Sequence, residues 1–174
     1  DLTGVRYVMV ARDRPNGVIL AIQDVEVMSG GVNVALGKSV SGPGWVSPLS
    51  GDNATALAVD GLVGRSSMYM FNENIGGMQY LQIDLGAFYQ IDSIKLTTDT
   101  ARQNALLDAG VYLSANDMSG LLTSQATLAT GAGVTTAVAR LTAASVQTLN
   151  GPFSSGSTYV SDSTPTLSGT LGAA

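Results

Sequence analysis

The groups that could do chemistry in this chain are carboxylates and hydroxyls, because its 174 residues include no cysteine and no histidine. That inventory excludes zinc sites of the usual Cys/His type, thiol catalysis and Ser/His/Asp triads. Carboxylate pairs such as Asp24 with Glu26, or Asp52 with Asp60, are the groups that glycoside hydrolysis uses. On a strand, however, Asp24 and Glu26 point to the same face, and nothing in the pattern indicates a deep cleft. We therefore predict that the chain is not an enzyme.

The chain is acidic and carries few charges. Eight basic and 13 acidic residues give a formal net charge of −5, and the pI is about 4.3. Nucleic-acid binding requires a concentrated lysine and arginine surface, which this composition does not supply. Anionic membranes are disfavoured for the same reason, and no apolar run is long enough to span a bilayer. The composition therefore predicts no nucleic-acid partner and no membrane insertion.

Short strands separated by turns are the elements that would position these groups. Residues 5–12 alternate as a half-buried strand does, and residues 18–27 return as a second strand after a Pro-Asn-Gly turn. Further strands are predicted at residues 80–85, 91–96, 111–113, 134–141, 146–149 and 158–160. No stretch has a convincing helical period, and turn signals recur at the spacing typical of a sandwich. The pattern predicts an all-β, antiparallel β-sandwich.

Several motifs in residues 33–96 occur in a recognisable order. They are N-x-A-x-G-K at 33–38, A-V-D-G at 58–61, Y-L-Q-I-D-L-G at 80–86 and I-x-x-I-x-L at 91–96. This series resembles the opening two thirds of a discoidin domain, the coagulation factor V/VIII C-type module that also serves as a galactose-binding-like carbohydrate-binding module. Residues 6–10 and 20–27 resemble the closing strands of the same family. The resemblance implies a jelly-roll-like sandwich.

The order of these two segments is the reverse of the family's order, because the closing strands come first. We therefore divide the chain into closing strands at residues 1–32, a main discoidin-like sandwich at 33–160 and a tail or edge strand at 161–174. Two interpretations follow. The chain is either one self-contained permuted sandwich, which closely spaced chain ends make easy, or a module that donates its first strands to a neighbouring subunit or repeat.

A structural calcium ion beside the A-V-D-G turn is a further implication of the resemblance. The corresponding oxygen ligands in this chain are Asp24, Asp60 and Ser66, supplemented by backbone carbonyls. Leu62 departs from the family pattern, which has Asn or Asp there, and so removes one side-chain oxygen. The alternative is a metal-free turn in which Asp60 caps backbone amides.

Ligands of the family bind at loops on one end of the sandwich, which correspond here to residues 42–53, 66–76 and 97–105. These loops offer flat aromatic faces and planar polar groups, which suit the C–H groups and hydroxyls of sugars. The candidate ligand-binding residues are Trp45, Tyr69, Phe71, Asn72, Glu73, Arg102 and Asn104. The alternatives are that Trp45 and Phe71 plug the end of the sandwich, or that residues 68–71 contact a partner protein.

Two functional hypotheses follow. The first is a non-catalytic, secreted or extracellular-surface binding module that recognises glycans or a cell-surface partner in adhesion. The second is a structural subunit of an extracellular filament, coat or virion appendage, whose partners are copies of itself. The resemblance favours the first, whereas the low charge and the Thr/Ala-rich second half favour the second.

Overall fold

Two five-stranded sheets pack face to face in the computed structural model, which describes residues 4–13, 19–43, 54–64, 68–71 and 76–153 and the backbone of Thr166–Ser168. One hydrophobic core joins the facing sides of the two sheets. The predicted all-β sandwich is therefore confirmed.

The described strands are short except for the seventh. In chain order they are β1 (Val5–Arg12), β2 (Ala21–Ile22), β3 (Asp24–Ser29), β4 (Val32–Asn33), β5 (Ser39–Ser41), β6 (Tyr69–Met70), β7 (Gln79–Tyr89), β8 (Ser93–Thr97), β9 (Gly110–Ser114), β10 (Val134–Val138), β11 (Val146–Asn150) and β12 (Thr166–Ser168). The first sheet has the order β10-β9-β1-β7-β5 and the second β12-β11-β8-β3-β4. Every pair is antiparallel except the pair of β11 with β12.

The first thirty residues contribute an interior strand to each sheet. In the first sheet, Val8 of β1 lies opposite Ile83 of β7 on one side and Leu113 of β9 on the other. In the second sheet, β3 lies between β8 and β4. Both strands pair with other strands of this chain. The choice between a self-contained permuted sandwich and strand donation stays a prediction.

The single strand predicted at residues 18–27 is divided at Gln23. Ala21 and Ile22 pair with β6 in a separate two-stranded ribbon, whereas β3 begins at Asp24 in the second sheet. The division arises because the backbone N–H of Gln23 turns to donate to the carbonyl of Thr97. The chain thus passes from one layer to another without a Gly or Pro to mark the change.

The inner face of the first sheet and part of its outer face are buried. Val8 and Val10 of β1 point into the core between the sheets, whereas Met9 and Ala11 point to the opposite face. There they join a second cluster, here called the outer cluster, which consists of Met9, Ala11, Met78, Tyr112, Met118 and Leu128. The alternation of residues 5–12 predicted that Val8 and Val10 face one way and Met9 and Ala11 the other. In the structure both pairs pack against other hydrophobic side chains.

A short helix that sequence analysis did not predict helps to cover the outer cluster. In α2 (Gln125–Ala129), the hydroxyl of Ser124 accepts a hydrogen bond from the backbone N–H of Thr127, and Leu128 is fully buried. Five residues are too few to show a helical period, so the capping serine was the available signal. The other helical segments are α1 (Ala54–Leu57) and the 3₁₀ helices Thr100–Ala105 and Ser119–Leu121.

A buried arginine joins several of these elements at one end of the sandwich. Arg12 exposes 1% of its surface, and its Nη1 donates to the carbonyls of Asn104, Ala105 and Leu107 at 3.4, 3.2 and 2.9 Å. Its Nη2 donates to the side-chain oxygen of Gln79 at 2.8 Å. Burial lowers the pKa of Arg12 to about 10, so the guanidinium still keeps its charge at neutral pH. The last residue of β1 is thereby tied to β7 and to the segment after β8.

Replacing Arg12 with methionine should destabilise the fold strongly. The substitution removes the hydrogen bonds that Arg12 donates to three backbone carbonyls and to the Gln79 side chain, which should lower the free energy of unfolding by on the order of 3 kcal/mol. Urea denaturation of the purified protein measures the change.

Arg6→Met on the same strand is the matched control. Arg6 forms an ion pair with Asp84, but both side chains are about a third exposed and water screens the pair, so we expect a much smaller loss than in Arg12→Met. Equal losses in the two variants would contradict a special role for Arg12.

Candidate functional site

A cleft opens at the end of the sandwich where β8 ends and β11 begins. It has a volume of about 380 Å³, and most of its lining residues are polar. We call it the end cleft. Its lining residues are Gln23, Val63, Gly64, Thr97, Thr98, Asp99, Thr100, Ser145 and Val146.

Hydrogen bonds fix three segments of the chain around the end cleft. The backbone N–H of Gln23 donates to the carbonyl of Thr97 at 2.8 Å, and that of Thr98 donates to the carbonyl of Ser145 at 2.7 Å. The side-chain oxygen of Gln23 accepts from the backbone N–H of Gly64 at 3.2 Å. The walls of the cleft are therefore held by the sheet and by its neighbouring turn.

Thr98 brings a buried hydroxyl to the end cleft. The residue exposes 2% of its surface, and its Oγ1 has no hydrogen-bond partner among the described residues. Leaving a buried polar group without a partner costs about 1–3 kcal/mol. Because this oxygen has almost no accessible surface, a bound molecule would relieve that cost only if the wall of the cleft moved to admit it.

A 3₁₀ helix starts at the end cleft and carries two of the predicted ligand-binding residues. Asp99 caps the helix, because its Oδ1 accepts from the backbone N–H of Ala101 at 2.9 Å. Its Oδ2 lies 3.6 Å from Nη1 of Arg102, which also contacts Sδ of Met68 at 3.7 Å. The side chains of Arg102 and Asn104 are exposed, but neither residue is among those that line the end cleft, so their role in ligand binding stays a prediction.

Tyr69 and Phe71 have a different role from the one predicted, because neither is exposed to solvent. Both belong to the core between the sheets. The hydroxyl of Tyr69 donates to the carbonyl of Tyr80, and burial raises the pKa of this hydroxyl above its ordinary value. In this structure neither ring offers a face to a surface ligand, and for Phe71 the alternative of a plug at the sandwich end describes its position.

Three other predicted ligand-binding residues, Trp45, Asn72 and Glu73, lie outside the described residues. Sequence analysis in turn overlooked Gln23, Thr98 and Ser145, which line the end cleft. The polar run Thr97–Thr98–Asp99–Thr100 directly after a strand was a usable signal for Thr98. Nothing in the sequence around Gln23 or Ser145 marks them as neighbours of that run.

The predicted metal ligand Asp24 is buried against the A-V-D-G turn. It exposes 1% of its surface, and its Oδ1 accepts from the backbone N–H of Gly61 at 3.1 Å. Its Oδ2 is buried without a hydrogen-bond partner among the described residues. Burial raises the pKa of Asp24, and the nearby carboxylates of Glu26 and Asp60 raise it further. A cation beside Oδ2 would offset both effects.

Asp60 already has a role in its own turn. Its Oδ1 accepts from the backbone N–H of Leu62 at 3.0 Å, as the metal-free alternative describes. Ser66 lies outside the described residues, and the described part of the chain contains no group of three or more Asp, Glu, Cys or His side chains that could hold a metal ion. The open Oδ2 of Asp24 is the feature that fits a cation.

Comparison of the chain with protein-family models, with curated proteins and with solved structures found no match. In the part of the chain that the structure describes, no helix combines the length and the apolar character needed to cross a membrane. The functional inference therefore depends on the geometry of the site and on the sequence motifs.

Replacing Asp24 with asparagine should change how stability depends on pH. The pKa of Asp24 in the folded protein lies above 3.8, its ordinary value, which also applies to the unfolded chain. At a pH between the unfolded-state pKa and the folded-state pKa, the folded protein therefore binds more protons than the unfolded chain. The stability that Asp24 contributes is therefore present at low pH and is lost as pH rises through the raised pKa. In chelator, Asp24→Asn should be more stable than the wild type near neutral pH, and this advantage should shrink as pH falls.

Chemical denaturation at a series of pH values measures the difference. Asp92→Asn is the matched control, because the exposed Asp92 also accepts from a backbone N–H, that of Gly30 at 2.7 Å. A difference between wild type and Asp24→Asn that stays constant with pH would contradict this account.

Proposed function

We propose that this chain is a non-catalytic extracellular binding module that recognises glycans through the end cleft. The observation that carries the proposal is the end cleft itself, whose lining combines an amide, a carboxylate and several hydroxyls, with the hydroxyl of Thr98, unpartnered among the described residues, buried in its wall. The sequence motifs that resemble the discoidin family support the same function.

The chemistry around Thr98 suits a hydroxyl-rich ligand. The cleft combines an amide, a carboxylate and several hydroxyls, from Gln23, Asp99, Thr97, Thr100 and Ser145. Such groups can donate to and accept from sugar hydroxyls, and the guanidinium of Arg102 adds donors beside the cleft. Val63 and Val146 supply apolar surface for the C–H groups of a sugar ring. No aromatic side chain lines the cleft among the described residues, so stacking on Trp45 stays a prediction.

A structural calcium ion is part of this proposal. The buried Oδ2 of Asp24 and the adjacent carboxylate of Asp60 would provide hard oxygen ligands, and backbone carbonyls of the turn would complete the shell. Because Asp24 lies next to Gln23, an ion there would also brace one wall of the end cleft.

Assembly of copies of the chain is a second candidate function, and exposed apolar residues favour it. Phe88 and Val32 expose 64% and 61% of their surface. Phe88 lies near the end of β7 and Val32 at the start of β4, both on the side of the sandwich where β8 begins, whereas the cleft lies where β8 ends. Burying Phe88 against a neighbouring copy would stabilise contacts between subunits.

Thr98→Val should abolish glycan binding without harming the fold. Valine keeps the shape of threonine but removes the buried hydroxyl, so stability should stay the same or rise by up to about 1 kcal/mol. A glycan array with the purified wild type should identify ligands, and the variant should bind them at least about tenfold more weakly.

Thr148→Val on β11 is the matched control, because Thr148 does not line the end cleft. Retained binding in Thr98→Val would contradict the proposed site. Absence of binding by the wild type, together with concentration-dependent association in light scattering, would favour the assembly function instead.

Calcium should raise the melting temperature of the wild type and leave that of Asp24→Asn unchanged. An ion present at about 100 times its Kd stabilises the folded state by about 2.7 kcal/mol, which corresponds to several degrees. Calorimetry in calcium and in chelator measures the shift. An equal rise in both proteins would show that any calcium effect does not involve Asp24.

A further inference from the structure

A second concave surface lies on the outer face of the first sheet, whereas the end cleft is lined by strands of the second sheet. It spans β1, β7 and β5 and has a volume of about 220 Å³. We call it the sheet-face groove. Strand register explains its composition, because Asp84 lies opposite both Tyr7 and Ser39, and Gln82 lies opposite Ser41. Its polar lining residues are Tyr7, Ser39, Ser41, Gln82, Asp84 and Asp117.

The carboxylate of Asp84 is fully engaged within the protein. Arg6 donates to Oδ1 through Nε at 2.8 Å and to Oδ2 through Nη2 at 2.9 Å. The backbone N–H of Gly86 also donates to Oδ1, at 2.8 Å. The guanidinium carbon of Arg6 lies over the ring of Tyr7, 5.3 Å from its centroid. Asp84, Arg6 and Tyr7 therefore form a neutral, ordered wall of the groove.

The carboxylate of Asp117 is held in place but is not neutralised. Its Oδ1 accepts from Nε2 of Gln82 at 2.9 Å and from the backbone N–H of Ser119 at 2.7 Å. Gln82 exposes only 4% of its surface, and its own oxygen accepts from the backbone N–H of Met118 at 2.8 Å. These bonds fix Asp117 in orientation, yet it has no ion-pair partner among the described residues.

Three acceptor positions in the groove remain open. The bonds from Gln82 and from the Ser119 backbone N–H both end on Oδ1 of Asp117. The Ser119 hydroxyl also hydrogen-bonds to this carboxylate, whose two oxygens together still have lone-pair capacity toward the groove. The hydroxyls of Ser39 and Ser41 are exposed and have no hydrogen-bond partner among the described residues. The open groups are thus one ionised oxygen and two hydroxyl oxygens beside a tyrosine ring.

These groups select among ligand types by charge and geometry. An anion is repelled, because Asp117 leaves the groove with a net negative charge. A guanidinium binds best to two oxygens of one carboxylate, but Oδ1 of Asp117 already accepts two hydrogen bonds. A calcium ion needs six to eight oxygen ligands, and the oxygens of Asp84 are occupied. A primary ammonium is a compact charge with three donors, which matches the three open acceptors.

We propose that the sheet-face groove binds a primary ammonium group on an aliphatic stem, with the ammonium on Asp117, Ser39 and Ser41 and the stem against Tyr7. Such a group occurs on lysine side chains of a partner protein and on polyamines. This site is separate from the end cleft and does not depend on glycan binding.

Titrations followed by NMR test the proposal, with Nα-acetyl-lysine-methylamide, a lysine-containing peptide and spermidine as probes. The expected result is a set of shift changes confined to the groove residues. Asp117→Asn keeps an oxygen that can accept from Gln82 and Ser119, so it should fold normally and bind the probes about tenfold more weakly. Asp99→Asn in the end cleft is the control and should bind them as the wild type does.

Acetylation of the lysine Nζ removes the charge and should abolish binding. If the peptide binds more tightly than spermidine, the proposal is supported and the ligand is a lysine of a partner protein. If spermidine binds more tightly than the peptide, the proposal is supported and the ligand is a polyamine. Equal binding of the Nζ-acetylated probe, equal binding by Asp117→Asn, or no shift changes in the groove would each overturn it. None of these results depends on whether glycans bind at Thr98.

Discussion

The buried guanidinium of Arg12 is the interaction on which the cleft end of the sandwich depends. A charge in the protein interior is costly unless hydrogen bonds replace its hydration, and the partners of Arg12 include three backbone carbonyls and the side-chain oxygen of Gln79. Gln79 extends the connection, because the oxygen that accepts from Arg12 also accepts from the backbone N–H of Leu20 at 2.6 Å. The 3₁₀ helix beside the end cleft is thereby held against β1, β7 and the entry to β2. The hydrogen bonds of Arg12 therefore help to fix the positions of Arg102 and Asn104, which belong to this helix.

The two faces of the first sheet show how one strand can serve both packing and binding. On the inner face, Val8 and Val10 belong to the core between the sheets. On the outer face, Met9 and Ala11 lie under the outer cluster, whereas Tyr7 lies in the sheet-face groove. The segment around residues 117–119 separates these regions, because Met118 is buried in the cluster while the carboxylate of Asp117 lines the groove.

Sequence analysis predicted the strands whose residues alternate cleanly, such as residues 5–12, because a regular period reflects burial on the faces of a sheet. It could not predict the break at Gln23, which depends on the position of the Thr97 carbonyl far along the chain. Tyr69 and Phe71 were misjudged for a similar reason. An aromatic residue in a short apolar run such as residues 68–71 does not reveal which way it points. Here the bond from the Phe71 N–H to the Leu20 carbonyl helps to hold the ribbon in the core. The end cleft likewise brings together residues near positions 23, 64, 98 and 145, and no local sequence pattern shows that these segments are neighbours.

The placement of β1 also has a consequence for how the chain acquires its structure. Its neighbours β7 and β9 are encoded much later, so during synthesis β1 has neither of its partners until most of the sandwich has emerged. Contacts between such distant residues slow folding, and an apolar strand with two open edges is prone to pair wrongly in the meantime. β1 therefore leaves the ribosome well before either of the two strands between which it lies.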